Sequence, residues 1–302
     1  MLYILTYSIE EAKPFSKLSQ AIKDDTDDIK LGISKLTIKV NTVQQSQQSQ
    51  KLREITDWLS PTDFAAQQTD FISRRQEGTG SWFLSSQEFT NWKIGSNKTL
   101  FCPGIPGAGK TMIAAIAVDH LWKTFHNNDV GLAYIYCNYN RQEEQRSIDL
   151  LTAILKQLVQ ERPSVAQPAI ALYEQHAYRR TRPSSKEISE ALALVAANYS
   201  KVFLVVDALD ECMNSDGRHR ELLDGLRDIQ AKTHIQLMVT SRFIPEVKQE
   251  YHGCPMLEVR ASDEDVKRYL AGQMHRLPNC VKRNGGLQAV VQEQIAKAVN
   301  GM

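Results

Sequence analysis

Apolar residues along the chain fall into two alternating patterns. Apolar-rich runs of strand length, most with β-branched or aromatic residues, occupy residues 100–102, 131–139, 201–206, 235–242 and 255–259. Between them, apolar residues recur at helical spacing. One set is Ile148, Leu151, Ile154, Leu155, Leu158 and Val159, with Ser147 as the predicted cap. Another is Ile188, Leu192 and Val195, starting at Ser184 or Ser185, and a third is Leu222, Leu223, Leu226 and Ile229. The run at 201–206 has no polar alternation, as expected of a strand buried on both faces. The pattern predicts an α/β fold: a parallel five-stranded sheet flanked by helices.

The flanks read differently. Residues 1–50 show weak helical spacing at Ile9, Phe15, Leu18, Ile22 and Ile29 and end in the polar run QQSQQSQ, a linker or an exposed helix. A helical pattern through Leu52, Ile55, Trp58 and Leu59 stops at Ser60-Pro61. A turn at Gly78-Thr79-Gly80 then leads into an aromatic-rich helix carrying Trp82, Phe83, Leu84, Phe89 and Trp92, with both tryptophans expected in the core. Beyond the fifth strand, Ser262 caps a helix with Val266, Tyr269, Leu270 and Met274, which breaks at Pro278. A last amphipathic helix (Leu287, Val290, Val291, Ile295, Val299) runs into residues 300–302.

Composition narrows the classes. The 302 residues are 42% hydrophobic and 24% charged with a net charge of +1, ordinary for a globular protein. Neither a nucleic-acid surface nor a polybasic membrane patch is indicated, so no nucleic-acid and no membrane partner is expected. Five scattered cysteines lack metal-ligand spacing and point to a reducing compartment, with Cys102 and Cys137 as small buried thiols at strand ends. The opening MLYILTY is too short for a secretion signal, and no apolar run reaches membrane-spanning length, so a cytoplasmic location is expected.

The chemistry-bearing stretch follows the first strand. Gly104, Ile105, Pro106, Gly107, Ala108, Gly109, Lys110, Thr111 and Met112 carry the pattern G-x-x-x-x-G-K-[ST] between a strand and a helix. Glycines let successive backbone N–H groups converge on phosphate oxygens, and the following helix N-terminus adds positive potential. Lys110 would reach the outer phosphates, and the Thr111 hydroxyl would ligate magnesium. The expected cofactors are therefore ATP or GTP with Mg2+. At the end of the 201–206 run stands Asp207, where open α/β sheets bind ligands, followed by Asp210 and Glu211. A carboxylate in that place holds the magnesium of a P-loop protein. The strand at 235–242 ends in Thr240, Ser241 and Arg242, and a guanidinium there suits γ-phosphate sensing. Gly80, Ser81 and Trp82 are candidates for the nucleotide base, and Arg74 and Arg75 for a phosphate contact.

Together GTGSWFLSSQEF, CPGIPGAGKT, the DHL at 119–121, VVDALDEC and VTSR resemble the NACHT domain of fungal STAND NTPases, the nephrocystin-3-like and ankyrin-repeat NACHT proteins. The resemblance covers roughly residues 52–302. It implies an ASCE-type P-loop core in which the Arg242 strand lies between the Gly-rich-loop strand and the Asp207 strand, and a helical lid starting near Ser262. By position it assigns phosphate and magnesium binding to Lys110 and Thr111, metal organisation to Asp207 and sensing to Arg242. General ASCE ATPases place a catalytic glutamate directly after the metal-binding aspartate; here that residue is Ala208, and either Asp210 or Glu211 would orient water.

The expected organisation is a helical or linker segment at 1–51, a NACHT P-loop core at 52–260 and the incomplete start of a lid at 261–302. Family members continue into a winged helix and repeats, so the chain reads as truncated, without the upstream effector or downstream repeat sensor. The expected activity is slow ATP or GTP hydrolysis serving a conformational and oligomerisation switch, with nucleotide as partner and self-association through the NTPase domain. The alternatives are a nucleotide-bound scaffold without significant hydrolysis and a small-molecule kinase.

Overall fold

The computed structural model describes residues 2–95, 98–125, 129–141, 145–212, 218–274, 281 and 283–299. The expected helix break at Pro278, the fifth cysteine Cys280 and the terminal 300–302 lie outside the described residues. The chain divides into two units, Met1–Glu54 and Ile55–Met302.

The first unit is helical throughout its described length. Helix α1 runs Leu2–Leu59, so the QQSQQSQ run is helix rather than linker, and the two N-terminal patterns are continuous. Thr26, Thr37 and Thr42 lie within it without breaking it. The hydroxyls of Thr26, Thr37 and Thr42 donate to the carbonyls of Ile22, Ile33 and Ile38 at 2.6, 2.9 and 2.8 Å. Its last turn, which belongs to the second unit, buries Ile55 and Leu59 and ends before Pro61.

The second unit is a parallel sheet in the order β1-β4-β3-β2, made of β1 (Thr99–Pro103), β2 (Val130–Tyr136), β3 (Lys201–Asp207) and β4 (Ile235–Ser241). Every residue of β1 and β4 is buried, which matches their lack of polar alternation. Helix α2 (Phe64–Ser73) precedes the short helices α3 (Ser81–Leu84) and α4 (Gln87–Ile94), and α5 (Lys110–Phe125) follows β1. Because β2 is the far edge strand, α5 must cross the sheet to reach it, and it packs on β4, β3 and β2 with α2 against it. Buried alanines 114, 115 and 117 keep its contact face flat. A separate group, α6 (Ser147–Glu161), α8 (Ser185–Ala196) and α9 (Arg218–Lys232), packs together, with α6 on β2, α9 on β4, and α7 (Gln167–His176) on α8. Helices α10 (Pro245–Glu250), α11 (Asp263–Gln273) and α12 (Gly285–Val299) follow among the described residues.

Four expectations need correction. The sheet has four strands rather than five. Residues 255–259 do run beside β1: Phe101 N–H donates to the Pro255 carbonyl (3.0 Å), and Leu257 and Val259 N–H donate to the carbonyls of Phe101 and Pro103 (2.9 and 2.7 Å). The ladder stops because Pro103 has no N–H to donate back, leaving one isolated bridge at Phe101–Met256. The aromatic-rich helix is two helices, split where the Ser86 hydroxyl accepts the Phe89 N–H and starts α4. Trp92 is fully buried and packs on Phe89 and Phe203, whereas Trp82 is only half-buried. Finally, the cap of α6 is Arg146, whose N–H donates to Asp149 at 3.2 Å; Ser147 is the first helical residue.

Helix α8 has a reciprocal cap. The Glu187 N–H donates to the Ser184 hydroxyl at 3.3 Å, and the Glu187 carboxylate accepts the Ser184 N–H and O–H at 2.8 and 2.7 Å. Those bonds hold the Glu187 carboxyl down to about 2. A folded-state value below the unfolded one stabilises the protein above about pH 4.5, and the contribution disappears as pH falls towards 2. Ser184→Ala is expected to lower the unfolding free energy by about 1 kcal/mol at pH 7, measured by urea titration. The difference from wild type should shrink in acid across that window.

Candidate functional site

The loop after β1 is shaped by what crowds it. A Cβ at Gly104 would lie 2.5 Å from the Val259 carbonyl oxygen, so the 255–259 segment leaves room there for glycine alone. Gly107 and Gly109 take left-handed φ of 81° and 91°, which L side chains avoid. The Gly104 N–H donates to the Ser241 carbonyl at 3.0 Å and so ties the loop to the end of β4. Lys110 folds back over this loop, its Nζ donating to the carbonyls of Gly104 (2.8 Å) and Ile105 (2.9 Å). Burial lowers the Lys110 ammonium below the ordinary lysine value, and the charges of Asp210 and Asp207 oppose that shift.

At the end of β3, Asp207 is buried, with 1% of its surface exposed. Its Oδ1 accepts the Thr240 hydroxyl at 2.6 Å, and the side chain of Thr111 also favours its ionised form. Burial pushes the carboxyl up to about 6, against the pull of those two side chains and of Lys110. Thr240 also accepts the Ala208 N–H at 2.9 Å and holds Ala208 at a left-handed φ of 53°. This bend starts the turn that carries Asp210 and Glu211.

Those two carboxylates have different partners. Asp210 is buried and spans Arg242: Oδ1 accepts the Arg242 backbone N–H at 3.0 Å and Oδ2 accepts its Nε. Glu211 is half-buried and accepts the Tyr139 N–H at 3.1 Å.

The expected residues converge. Pro106, Gly107, Gly109, Lys110, Thr111, Asp210, Glu211 and Arg242 line one polar cleft of about 600 Å3, together with Tyr139 and Ala208. Asp207 is buried and is not among the lining residues. Ala108 and Met112 face a neighbouring apolar cavity of about 460 Å3, which shares Gly107 and Gly109 with the cleft. Gly80, Trp82, Ile113 and Ile116 line that cavity on one side, and Val266, Tyr269 and Leu270 of α11 on another. Of the arginine pair, Arg75 donates to the Thr79 carbonyl and braces the turn, while Arg74 pairs with Asp70 at 2.7 Å and reaches the cavity.

Three features here have no signal in the sequence pattern. Asp265, on α11, accepts both the Gly80 N–H (2.9 Å) and the Trp82 indole N–H (3.1 Å) through Oδ2, and Arg268 donates to the Gly78 carbonyl at 2.7 Å. They fasten α11 to the 78–82 turn across more than 180 residues of sequence. Tyr139 supplies a backbone donor, which its side-chain type does not announce. Cys137 and Cys212 form a disulfide, with α-carbons 5.6 Å apart, that links the turns following β2 and β3. This corrects the reading of Cys137 as a buried thiol, and the argument for a reducing compartment from unpaired cysteines loses its basis. Cys102 is a buried free thiol, raised by burial.

Strand, Gly-rich loop, helix and a buried carboxylate two strands away define an α/β protein of the P-loop class. The sequence profile described as Nephrocystin 3, N-terminal matches residues 78–242, and the chain belongs to that family. No curated protein shows significant similarity to it. Similar solved structures include a DNA replication initiation factor (12% identity over 74% of this chain and 60% of that one, TM-score 0.41). Another is the Aeropyrum pernix ORC1 protein in complex with DNA (16%, 64% and 48%, TM-score 0.39). A third is the replication initiator DnaA bound to AMPPCP and single-stranded DNA (11%, 76% and 62%, TM-score 0.40). The chain thus spans about half to three-fifths of the length of these proteins. Two of the three are in complex with DNA, and the expectation that nucleic acid is no partner is corrected accordingly.

Reduction of the Cys137–Cys212 disulfide, or its replacement by paired serines, is expected to lower the unfolding free energy by about 2–4 kcal/mol. Urea titration with and without a dithiol reductant measures it, and an unchanged midpoint contradicts the pairing.

Proposed function

We propose that residues 55–302 form the nucleoside-triphosphate-binding module of a STAND-type signalling NTPase, of the NACHT kind, and that bound nucleotide acts as a conformational switch. One observation carries the reading. The polar cleft beside Lys110 and the apolar cavity beside Gly80 and Trp82 meet at Gly107 and Gly109, which suits a ligand with a phosphate tail and an aromatic base. Loop amides and Lys110 would bind the phosphates, the ammonium exchanging its carbonyl partners for phosphate oxygens. ATP and GTP both fit this reading.

The donor set suits magnesium. Thr111 and Asp207 offer oxygen ligands only, and the raised Asp207 carboxyl is a buried group that a cation would relieve. These two residues would hold the ion, which when bound neutralises charge on the β- and γ-phosphates. Arg242 would face the γ-phosphate end. Both Asp210 oxygens already accept from Arg242, so Asp210 is assigned a positioning role, aiming the guanidinium. Glu211 is then the residue that would orient water for hydrolysis.

A second reading, a nucleotide-bound scaffold with negligible turnover, is favoured by Ala208: its left-handed backbone stands where ASCE ATPases carry their glutamate. Residues 261–302 would form the start of the lid, with Asp265 and Arg268 fastening it. No helix among the described residues is long and apolar enough to cross a membrane.

Calorimetric titration of the full chain with ATP and with GTP, each with magnesium, tests the assignment. Lys110→Ala should abolish binding while the circular dichroism spectrum persists; unchanged affinity ends the reading. Single-turnover phosphate release separates the two versions. Glu211→Gln is expected to lower the rate by about 100-fold or more at unchanged nucleotide affinity. Wild-type release no faster than that of Asp207→Asn supports the scaffold.

A further inference from the structure

The nucleotide reading leaves the first unit without a role, and its surface is unusual. Phe15, Ile22, Ile29, Leu36 and Val43 follow one another at intervals of seven residues along α1. Ile33 and Val40 fall four residues after Ile29 and Leu36, which completes an alternating four-and-three spacing on one face. These are the d and a positions of a heptad repeat over about four heptads. All seven side chains are between 52% and 76% exposed, so a stripe that should be covered faces solvent. The two polar residues in the same seam, Ser19 and Thr26, are small. The Thr26 hydroxyl is already satisfied by the Ile22 carbonyl, which leaves its methyl group for packing.

We propose that α1 is a homotypic coiled-coil segment, and that its apolar seam is covered by the same segment of further copies of this chain, parallel and in register. Charge complementarity between copies supports the occupant. In a parallel pairing each g position meets the e position five residues further along the partner helix. Asp25 at g then meets Lys30 at e of the other copy, and the remaining pairs, Leu18 with Lys23, Gly32 with Thr37 and Lys39 with Gln44, contain no like charges. An antiparallel pairing sets e against e, where the charged residues are Lys23 and Lys30, and g against g, where Asp25 meets Lys39; the parallel pairing alone joins Asp25 to Lys30, which the charge swap below tests. Within one chain Lys30 reaches Asp27 at 3.4 Å, an exposed contact that is easily exchanged. Isoleucine at d positions 22 and 29 and valine at 43 favours bundles of three or four helices over two. This association needs no nucleotide, so it stands or falls apart from the assignment of the cleft.

Sedimentation equilibrium of the full chain without nucleotide tests it. The wild type should sediment at the mass of three or four copies. Ile29→Asp combined with Leu36→Asp should bring it to the mass of one, with the near-ultraviolet circular dichroism of the second unit, where Trp92 is fully buried, retained as evidence that it is folded. Leu31→Asp, at the outward f position of the same helix, should leave the assembly intact. Asp25→Lys should weaken association at least tenfold, and the added Lys30→Asp should restore it. A wild-type chain at the mass of one copy overturns the proposal and assigns the stripe to a different partner. Equal effects of Leu31→Asp and the seam variants, or no rescue by the charge swap, overturn it as well.

Discussion

The site depends on the hydrogen bond between Thr240, near the end of β4, and the buried carboxylate of Asp207, at the end of β3. It joins two neighbouring strands, 33 residues apart in the sequence, and the sheet order makes that meeting unavoidable. β4 separates β1 from β3, and the side chain of Thr111, at the start of α5, adds to the pull on the carboxylate. A hydroxyl donor contributes about 1.5–3 kcal/mol to a charged acceptor, while desolvating a carboxylate costs several kcal/mol. Burial therefore wins, and the Asp207 carboxyl rises to about 6 despite the Thr240 bond and the nearby Thr111 side chain. A buried anion left in that condition is what a divalent cation would offset.

From this centre the rest of the cleft follows by local constraint. Thr240 also fixes the left-handed Ala208, which turns the chain so that Asp210 reaches Arg242 and Glu211 reaches Tyr139. The disulfide and the bond from the Cys137 N–H to the Asp207 carbonyl (3.0 Å) lock the turns after β2 and β3 together behind that acidic turn. On the other side, Asp265 and Arg268 join α11 to the 78–82 turn, so the wall of the apolar cavity is built from both.

Much of this was legible in the sequence because it is local. The Gly-rich loop declares itself by spacing, since two left-handed glycines and one crowded glycine are needed within six residues. The strand ending in Asp207 declares itself by its unbroken apolar run. What escaped is non-local or depends on a single missing atom. Pro103 reads as part of the loop motif, yet its absent N–H stops a fifth strand from forming. Trp82 reads as core by its apolarity, but its indole N–H is held by Asp265, 183 positions away. Asp210 and Glu211 look equivalent in sequence, and only their partners distinguish them. The cysteine pair is 75 residues apart, with nothing in its spacing to mark it.

The central claim is that Asp207 organises a metal ion against a phosphate-bearing ligand held by the loop. Manganese substituted for magnesium, titrated with nucleoside triphosphate present and followed by its paramagnetic resonance signal, tests this most directly. The account predicts one tightly held manganese per chain, weakened about tenfold or more by Asp207→Asn, with the metal-free nucleotide affinity preserved. Equal manganese affinity in the wild type and the Asp207→Asn variant would contradict it.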